Sequence, residues 1–211
     1  MADKRVPLGP KEFMNAAMAL VDKNGIASLS MRALGAELGV DATAIYRHFP
    51  NKDSLVVALI DEMLGEAISE PIADDLPARD KCVAIALALR NSFRRHPDIG
   101  ISLVHSEGVS NNGLELSRRA VQYLREMGLT GITLVRQYQA FEGYIMGCCV
   151  MDFSGSPHNF EIRRARYRLV DVPELDEAAR DTSIVQDLAE DGFLESLNAI
   201  LDRCEALAKK N

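Results

Sequence analysis

Apolar side chains recur at intervals of three and four along almost the whole chain, the period of helices with one buried face. Phe13, Ala16, Ala17, Leu20 and Val21 share one such face, and Asn24-Gly25 supplies a stop. Ser30 is placed to cap a second helix ending at Gly39, and Asp41 a third running to about His48-Phe49-Pro50. Asn51 is placed to cap a fourth, with Leu55, Leu59 and Met63 on its inner face. The prolines and acids of "SEPIADDLPARD" interrupt the pattern, and Pro77 suits the first turn of a helix that ends before Pro97. Asn111-Asn112-Gly113 reads as a turn, followed by a helix to Gly128 and then, from a Thr130 cap, a longer one to about Asp152. "FSGSPHN" reads as a loop, Arg163–Arg168 as a short basic segment, and Pro173 as the start of another irregular stretch. A last helix is expected from about Asp191 to Lys209. No segment alternates with the two-residue period of a strand, and no internal repeat is visible. The expected fold is all-α: a small N-terminal unit over residues 1–55 and a larger bundle over 56–211, joined by the fourth helix at about 52–68.

Charge sharpens that division. The 211-residue chain carries a formal −7, an argument against non-specific binding to a polyanion. Residues 1–55 hold seven Lys/Arg and six Asp/Glu, a net +1, so the remainder carries −8. The acidity lies in the larger unit. No apolar run follows the basic start, so no secretory signal is expected. The apolar stretch from Tyr144 to Met151 is far too short to span a bilayer. Cys82, Cys148, Cys149 and Cys204 form no CxxC pair, and read as buried free thiols of a cytoplasmic protein. HExxH, GxSxG, P-loop and GxGxxG motifs are all missing, and His48, His96, His105 and His158 lack ligand spacing. His105, Ser106 and Glu107 are neighbours in sequence and do not face one another as a triad must. No enzyme, metal or cofactor is implied.

One stretch, "SLSMRALGAELGVDATAIYRHFPNKDSL", meets the constraints of a helix-turn-helix. Counting from Met31, Gly35 is fifth, where two helix backbones come close, and Gly39 is ninth, in a turn that favours positive φ. Ile45 is fifteenth and must pack back on Leu34 and Leu38, with Val40 beside it. The second helix of the pair then presents its outer residues to a duplex. Ala42, Thr43 and Ala44 are small enough for close approach to the major groove, where methyl groups meet thymine methyls. Tyr46 offers a hydroxyl to a phosphate, Arg47 a guanidinium to guanine or the backbone, and His48 lies just beyond. Lys52 opens a helix whose N-terminus favours an anion, Arg32 comes from the helix that crosses the backbone, and Lys4 and Arg5 precede the unit as an arm.

The run "GVDATAIYRHFPNKDSL", with Gly39-Val40, Tyr46, His48-Phe49, Asn51-Lys52 and Leu55, resembles the DNA-binding unit of tetracycline-repressor-like (TetR family) regulators. "SMRALGAELGV" before it fits the same pattern, and "DGFLESLNAILDRCEALAKK" resembles the closing helix of that family's tetracycline-repressor branch. The resemblance implies a homodimer, a double-stranded palindromic operator, and release by a small-molecule effector in the C-terminal domain. It implies that Arg32, Thr43, Ala44, Tyr46, His48 and Lys52 meet DNA. Alanine at positions 42 and 44 leaves fewer polar contacts to bases. The rival from another class is a helical carrier or interaction protein whose head no longer reads DNA.

In the larger unit, Phe193, Leu197, Ile200, Cys204 and Leu207 form a seam on the last helix, and Tyr138, Phe141, Ile145 and Cys148/Cys149 mark one side of the long helix before it. Gly143 and Gly147 would let another helix approach closely. These stripes suit either a four-helix dimer interface or internal core, and the resemblance favours the interface. Helices between Pro77 and Asp152 are expected to enclose a cavity whose candidate lining is Phe93, His105, Tyr123, Gln137, Phe141, Tyr144 and Met151. A ligand there would act by favouring a state whose two heads no longer sit roughly 34–36 Å apart, one turn of DNA.

Overall fold

The computed structural model describes residues 9–151 and 157–210. They form eleven α-helices, with no strand among the described residues. The head contains α1 (Pro10–Asn24), α2 (Met31–Leu38) and α3 (Ala42–Tyr46), with a 3-10 turn at Ile26–Ser28. The linking helix is α4 (Lys52–Ser69). The body contains α5 (Ala78–Arg95), α6 (Pro97–His105), α7 (Asn111–Glu126), α8 (Gly131–Met151), α9 (Pro157–Arg168), α10 (Pro173–Ala178) and α11 (Thr182–Ala208). Lys4 and Arg5, expected as an arm, lie outside the described residues, as does most of the loop expected at "FSGSPHN".

The caps expected in the head all form. The Ser30 hydroxyl accepts from the Ala33 amide at 3.0 Å and the Asp41 carboxylate from the Thr43 amide at 2.8 Å. Asn51 and Ser54 exchange side-chain bonds across the first turn of α4. Phe13, Ala17, Val21, Leu34, Ile45 and Leu55 are buried together beneath these helices. Burying a side chain such as Ile45 contributes roughly 1.5–3 kcal/mol.

Helix α4 belongs to both units. Leu55 and Leu59 are buried in the head, and Met63, Leu64 and Ala67 carry the same helix into the body. The corner between α5 and α6 ties the units together. Nδ1 of His96 lies 2.9 Å from Asp22 of α1, and Nε2 lies 3.1 Å from Glu66 of α4.

The body departs from expectation where a local signal had two meanings. Pro97 opens α6 directly after α5, because at the first helical position its missing N–H costs nothing. Asn111-Asn112-Gly113 is the first turn of α7, capped by the Ser110 hydroxyl, which accepts from the Gly113 amide at 2.9 Å. The Arg163–Arg168 segment is the second half of α9, with Arg164 paired to Glu161 and Arg168 donating to the Ala179 carbonyl. The stretch after Pro173 holds the short α10, and α11 starts at Thr182, well before Asp191, on an Asp181 cap.

The seam of α11 divides: Phe193, Leu197 and Cys204 are internal core beside Leu201, while Ile200 and Leu207 stay half-buried. Phe193, Leu197, Leu201 and Cys204 are almost fully buried within one chain, as are Phe141, Ile145 and Cys149 of α8. Tyr144 stacks on Phe193, and the guanidinium of Arg90, itself only 1% exposed, lies 4.4 Å from the Phe193 ring while pairing with Glu190. The outer face of α8 is open: a Cβ on Gly143 or Gly147 would meet nothing within 4 Å beyond the helix itself, and Ile132 and Val135 are exposed.

Candidate nucleic-acid interface and body cavity

The geometry of the head follows from its two glycines. A Cβ on Gly35 would stand 2.8 Å from the Val40 carbonyl oxygen, so the fifth position has no room for a side chain. Gly39 has nothing within 4 Å, but it closes α2 at φ +65°, where a side chain is strained. The Val40 amide returns to the Gly35 carbonyl at 2.9 Å, closing the turn. Together they fix α3 against α2, with Ile45 fully buried between them.

This turns a polar face outward. Tyr46 is 50% exposed, Arg32, Arg47 and His48 are exposed, and neither arginine makes an ion pair among the described residues. Other predicted readers have internal duties as well. The Thr43 hydroxyl donates to Asp41 at 2.6 Å, so toward a base it offers its lone pairs and methyl. That bond and the Thr43 amide hold the Asp41 carboxyl below its ordinary range. The His48 ring rests against Phe13, centroids 5.5 Å apart. One Lys52 ammonium proton goes to the Ile26 carbonyl at 3.3 Å, leaving two donors free. Ala42 and Ala44 are half-buried against the head core and bring α3 close to whatever lies on it.

The body holds a cavity of about 350 Å³ between α4, α5, α6, α7 and α8. Leu64, Ile85, Leu89, Phe141 and Ile145 supply apolar wall, while Ser110, Ser117, Tyr138 and Glu142 are its polar members. The Tyr138 hydroxyl donates to Glu142 at 2.5 Å. Burial first, and then that bond, push the Tyr138 phenol up to about 12.

One wall of the cavity rests on α4. Asp61 accepts from the Ser110 hydroxyl at 2.7 Å, from the Asn112 amide at 2.9 Å and from the Asn112 side chain. A Cβ on Gly108 would collide with Val57, so the segment before α7 lies directly on the same face of α4. Val57, Asp61 and Leu64 are spaced four and three apart, one stripe running from the head's end of α4 to the cavity.

Two family descriptions match this architecture. Residues 13–59 match "Bacterial regulatory proteins, tetR family", and residues 73–207, more than half of the chain, match "Tetracyclin repressor-like, C-terminal domain". The chain belongs to the TetR family. Its relatives include the HTH-type transcriptional repressor DrrR1 of Streptomyces coeruleorubidus, 27% identical over 68% of this chain. That match spans only 56% of DrrR1's own length. BioQ, solved with its double-stranded DNA operator, is 26% identical and covers 82% of this chain and 98% of its own, with a TM-score of 0.62. ActR of Streptomyces coelicolor, solved with actinorhodin, shares the fold at 20% identity and a TM-score of 0.74, covering 95% of this chain and 97% of its own.

Within this TetR-family fold, Arg32, Thr43, Tyr46, Arg47 and His48 are exposed and Ala42, Ala44 and Lys52 half-exposed, whereas the predicted pocket residues do not share one site. Phe141 alone among those whose side chains are described lines the cavity. Phe93 is buried against Gly100, His105 is exposed at the end of α6, and Tyr123 lies under Lys81. Gln137 meets Cys204, and Tyr144 bonds the carbonyls of Gly192 and Phe193, so both face α11 rather than the cavity. The side chain of Met151 lies outside the described ones. Tyr138, Glu142 and Ser110 were missed as lining. A three-to-four spacing from Phe141 to Tyr138 and Ile145 was the available signal.

No cluster of metal-binding side chains is present among the described residues. The four cysteines are thiols, and burial raises Cys82 to about 12 and Cys204 to about 11, so neither of these two is a ready nucleophile. No described helix is long and apolar enough to cross a membrane.

Proposed function

We propose that this TetR-family chain is a ligand-responsive transcriptional repressor that binds a palindromic operator as a homodimer and lets go when a small molecule fills the body cavity. It acts without catalysis, in the cytoplasm where its DNA is. The observation that carries the reading is the head. Two helices held at fixed spacing by Gly35 and Gly39 turn Arg32, Tyr46 and Arg47 outward together. The operator in the BioQ complex and the name of DrrR1 support it.

In this reading Tyr46, His48 and Lys52 hold phosphates, while Arg47, Thr43, Ala42 and Ala44 face base edges and Arg32 meets the flanking backbone. Each good bidentate base contact gives roughly 1–3 kcal/mol of discrimination, so one small head is not enough and two must act together. The bare face of α8, with Gly143 and Gly147 open, suits the close approach of a second copy. The domain boundary falls within α4, with residues 1–55 reading DNA and 56–211 holding effector and partner.

Effector and operator are coupled through α4. A ligand that spreads the wall at Ser110 and Asn112 pulls on Asp61, and α4 carries the displacement to the head. Its power is limited to its difference in affinity for the two states. Selection of bound duplexes from random DNA tests the function: recovery of an inverted repeat supports it, and recovery of no enriched sequence from the full chain overturns it. Steep loss of binding with rising salt is expected on the recovered site.

A further inference from the structure

The polar end of the cavity has a direction. The Tyr138 phenol donates to Glu142. Ser110 gives its proton away from the cavity, to Asp61. The Tyr138 and Ser110 protons are therefore already committed, and the side chains present a guest with the remaining capacity of Glu142, the oxygen of Ser110 and one hydroxyl, Ser117. Glu142 is the one carboxylate among the described lining residues, and no Lys, Arg or His accompanies it. An anion entering here loses water and meets the like charge of Glu142, with no cation among the described lining residues to offset it. An ammonium brings three donors and a matching charge. Glu142 is also exposed, standing at the lip rather than in the depths, so a cation held there keeps part of its hydration while an apolar body lies against Leu89, Phe141 and Ile145.

We propose that the effector class of this chain is a lipophilic amine, with its apolar body in the cavity and its ammonium on Glu142, and that carboxylates of the same shape are rejected. The inference rests on the cavity being the effector site. The chain contains no tryptophan, so naphthalene emission can be followed against a low background. The full chain is titrated with 1-naphthylmethylamine, 1-naphthylmethanol and 1-naphthoate. The amine binds at least tenfold more tightly than the carboxylate, with the alcohol between them. Glu142→Gln, at an exposed position, brings the amine to the alcohol's affinity and leaves the alcohol within twofold. Ala120→Leu narrows the cavity and weakens all three probes. In the unaltered chain, nuclear Overhauser contacts between naphthalene and the Phe141 ring give the same localisation if that variant does not fold. Equal or tighter binding of the carboxylate, or an amine affinity indifferent to Glu142→Gln, overturns the class while leaving the cavity as the site. No binding at millimolar probe, or binding without Phe141 contacts, overturns the cavity reading and the class with it.

Discussion

In the head, a Cβ on Gly35 would meet backbone at 2.8 Å; in the body, a Cβ on Gly143 or Gly147 would meet nothing within 4 Å beyond the helix itself. Helices α2 and α3 are eight and five residues long, yet each starts on a side-chain cap and buries a central side chain, Leu34 or Ile45, completely. Helix α11 runs for 27 residues, and α4 to α8 leave about 350 Å³ unfilled between them. The difference separates two physical requirements. Side chains that must meet a groove at fixed spacing need a support with one arrangement. A body that responds to a ligand needs two arrangements close in energy, which space and partly exposed polar bonds allow.

The largest expected effect comes from breaking the tight side of that contrast. Gly35→Leu drives a side chain into the Val40 carbonyl, which cannot yield without moving α3. A cost of about 3 kcal/mol is expected in urea unfolding, with operator affinity down by more than 100-fold in anisotropy titrations. Near-wild-type binding would mean that α2 and α3 are less closely joined than described.

The next effect falls on the joint between the two regions. Asp61→Ala leaves the Ser110 hydroxyl and the Asn112 amide without their acceptor, at about 2 kcal/mol of stability. Operator affinity without ligand stays within a few-fold, while the loosening of DNA by a cavity ligand falls several-fold, a coupling change of roughly 0.5–2 kcal/mol. Asp61→Asn keeps part of both. An unaltered ligand response in Asp61→Ala, measured on the selected duplex, would remove α4's Asp61 from the route.

Gly39→Ala sharpens the contrast inside the head, because the space is open and only φ +65° is strained. It is expected to cost about 1–2 kcal/mol, less than Gly35→Leu, in the same urea series. The smallest effect is a pH dependence. Asp41 is depressed below 3.8 by the Thr43 hydroxyl and amide, so its cap contributes fully above that value and fades as pH falls through the folded-state value. The difference in urea midpoint between wild type and Asp41→Ala should therefore hold steady from pH 7 to 5 and shrink toward pH 3.

How far the chain could be read in advance follows the same division. Gly35, Gly39 and Ile45 stand at spacings that few structures other than a helix-turn-helix require, and Ser30, Asp41 and Asn51 cap where their chemistry says they should. In the body, Pro97 serves equally as a stop or a start, and α6 was hidden by that ambiguity. Asn111-Asn112-Gly113 reads as a turn until Asp61, fifty residues away, is seen to hold it as helix. The aromatic residues of α8 mark an apolar helix without saying which side borders a void. Tyr138 and Phe141 face α7 and the cavity, whereas Tyr144 faces α11, and only packing decides that.

The proposed function requires that the outward face of α3 reads DNA. Its most direct test is an anisotropy titration of the selected duplex with wild type and with a Tyr46→Ala/Arg47→Ala double variant. Both residues are exposed and carry little of the fold. An unchanged urea midpoint with at least 100-fold weaker binding is expected, two copies of each lost contact acting together. Equal affinity in the two proteins would contradict it.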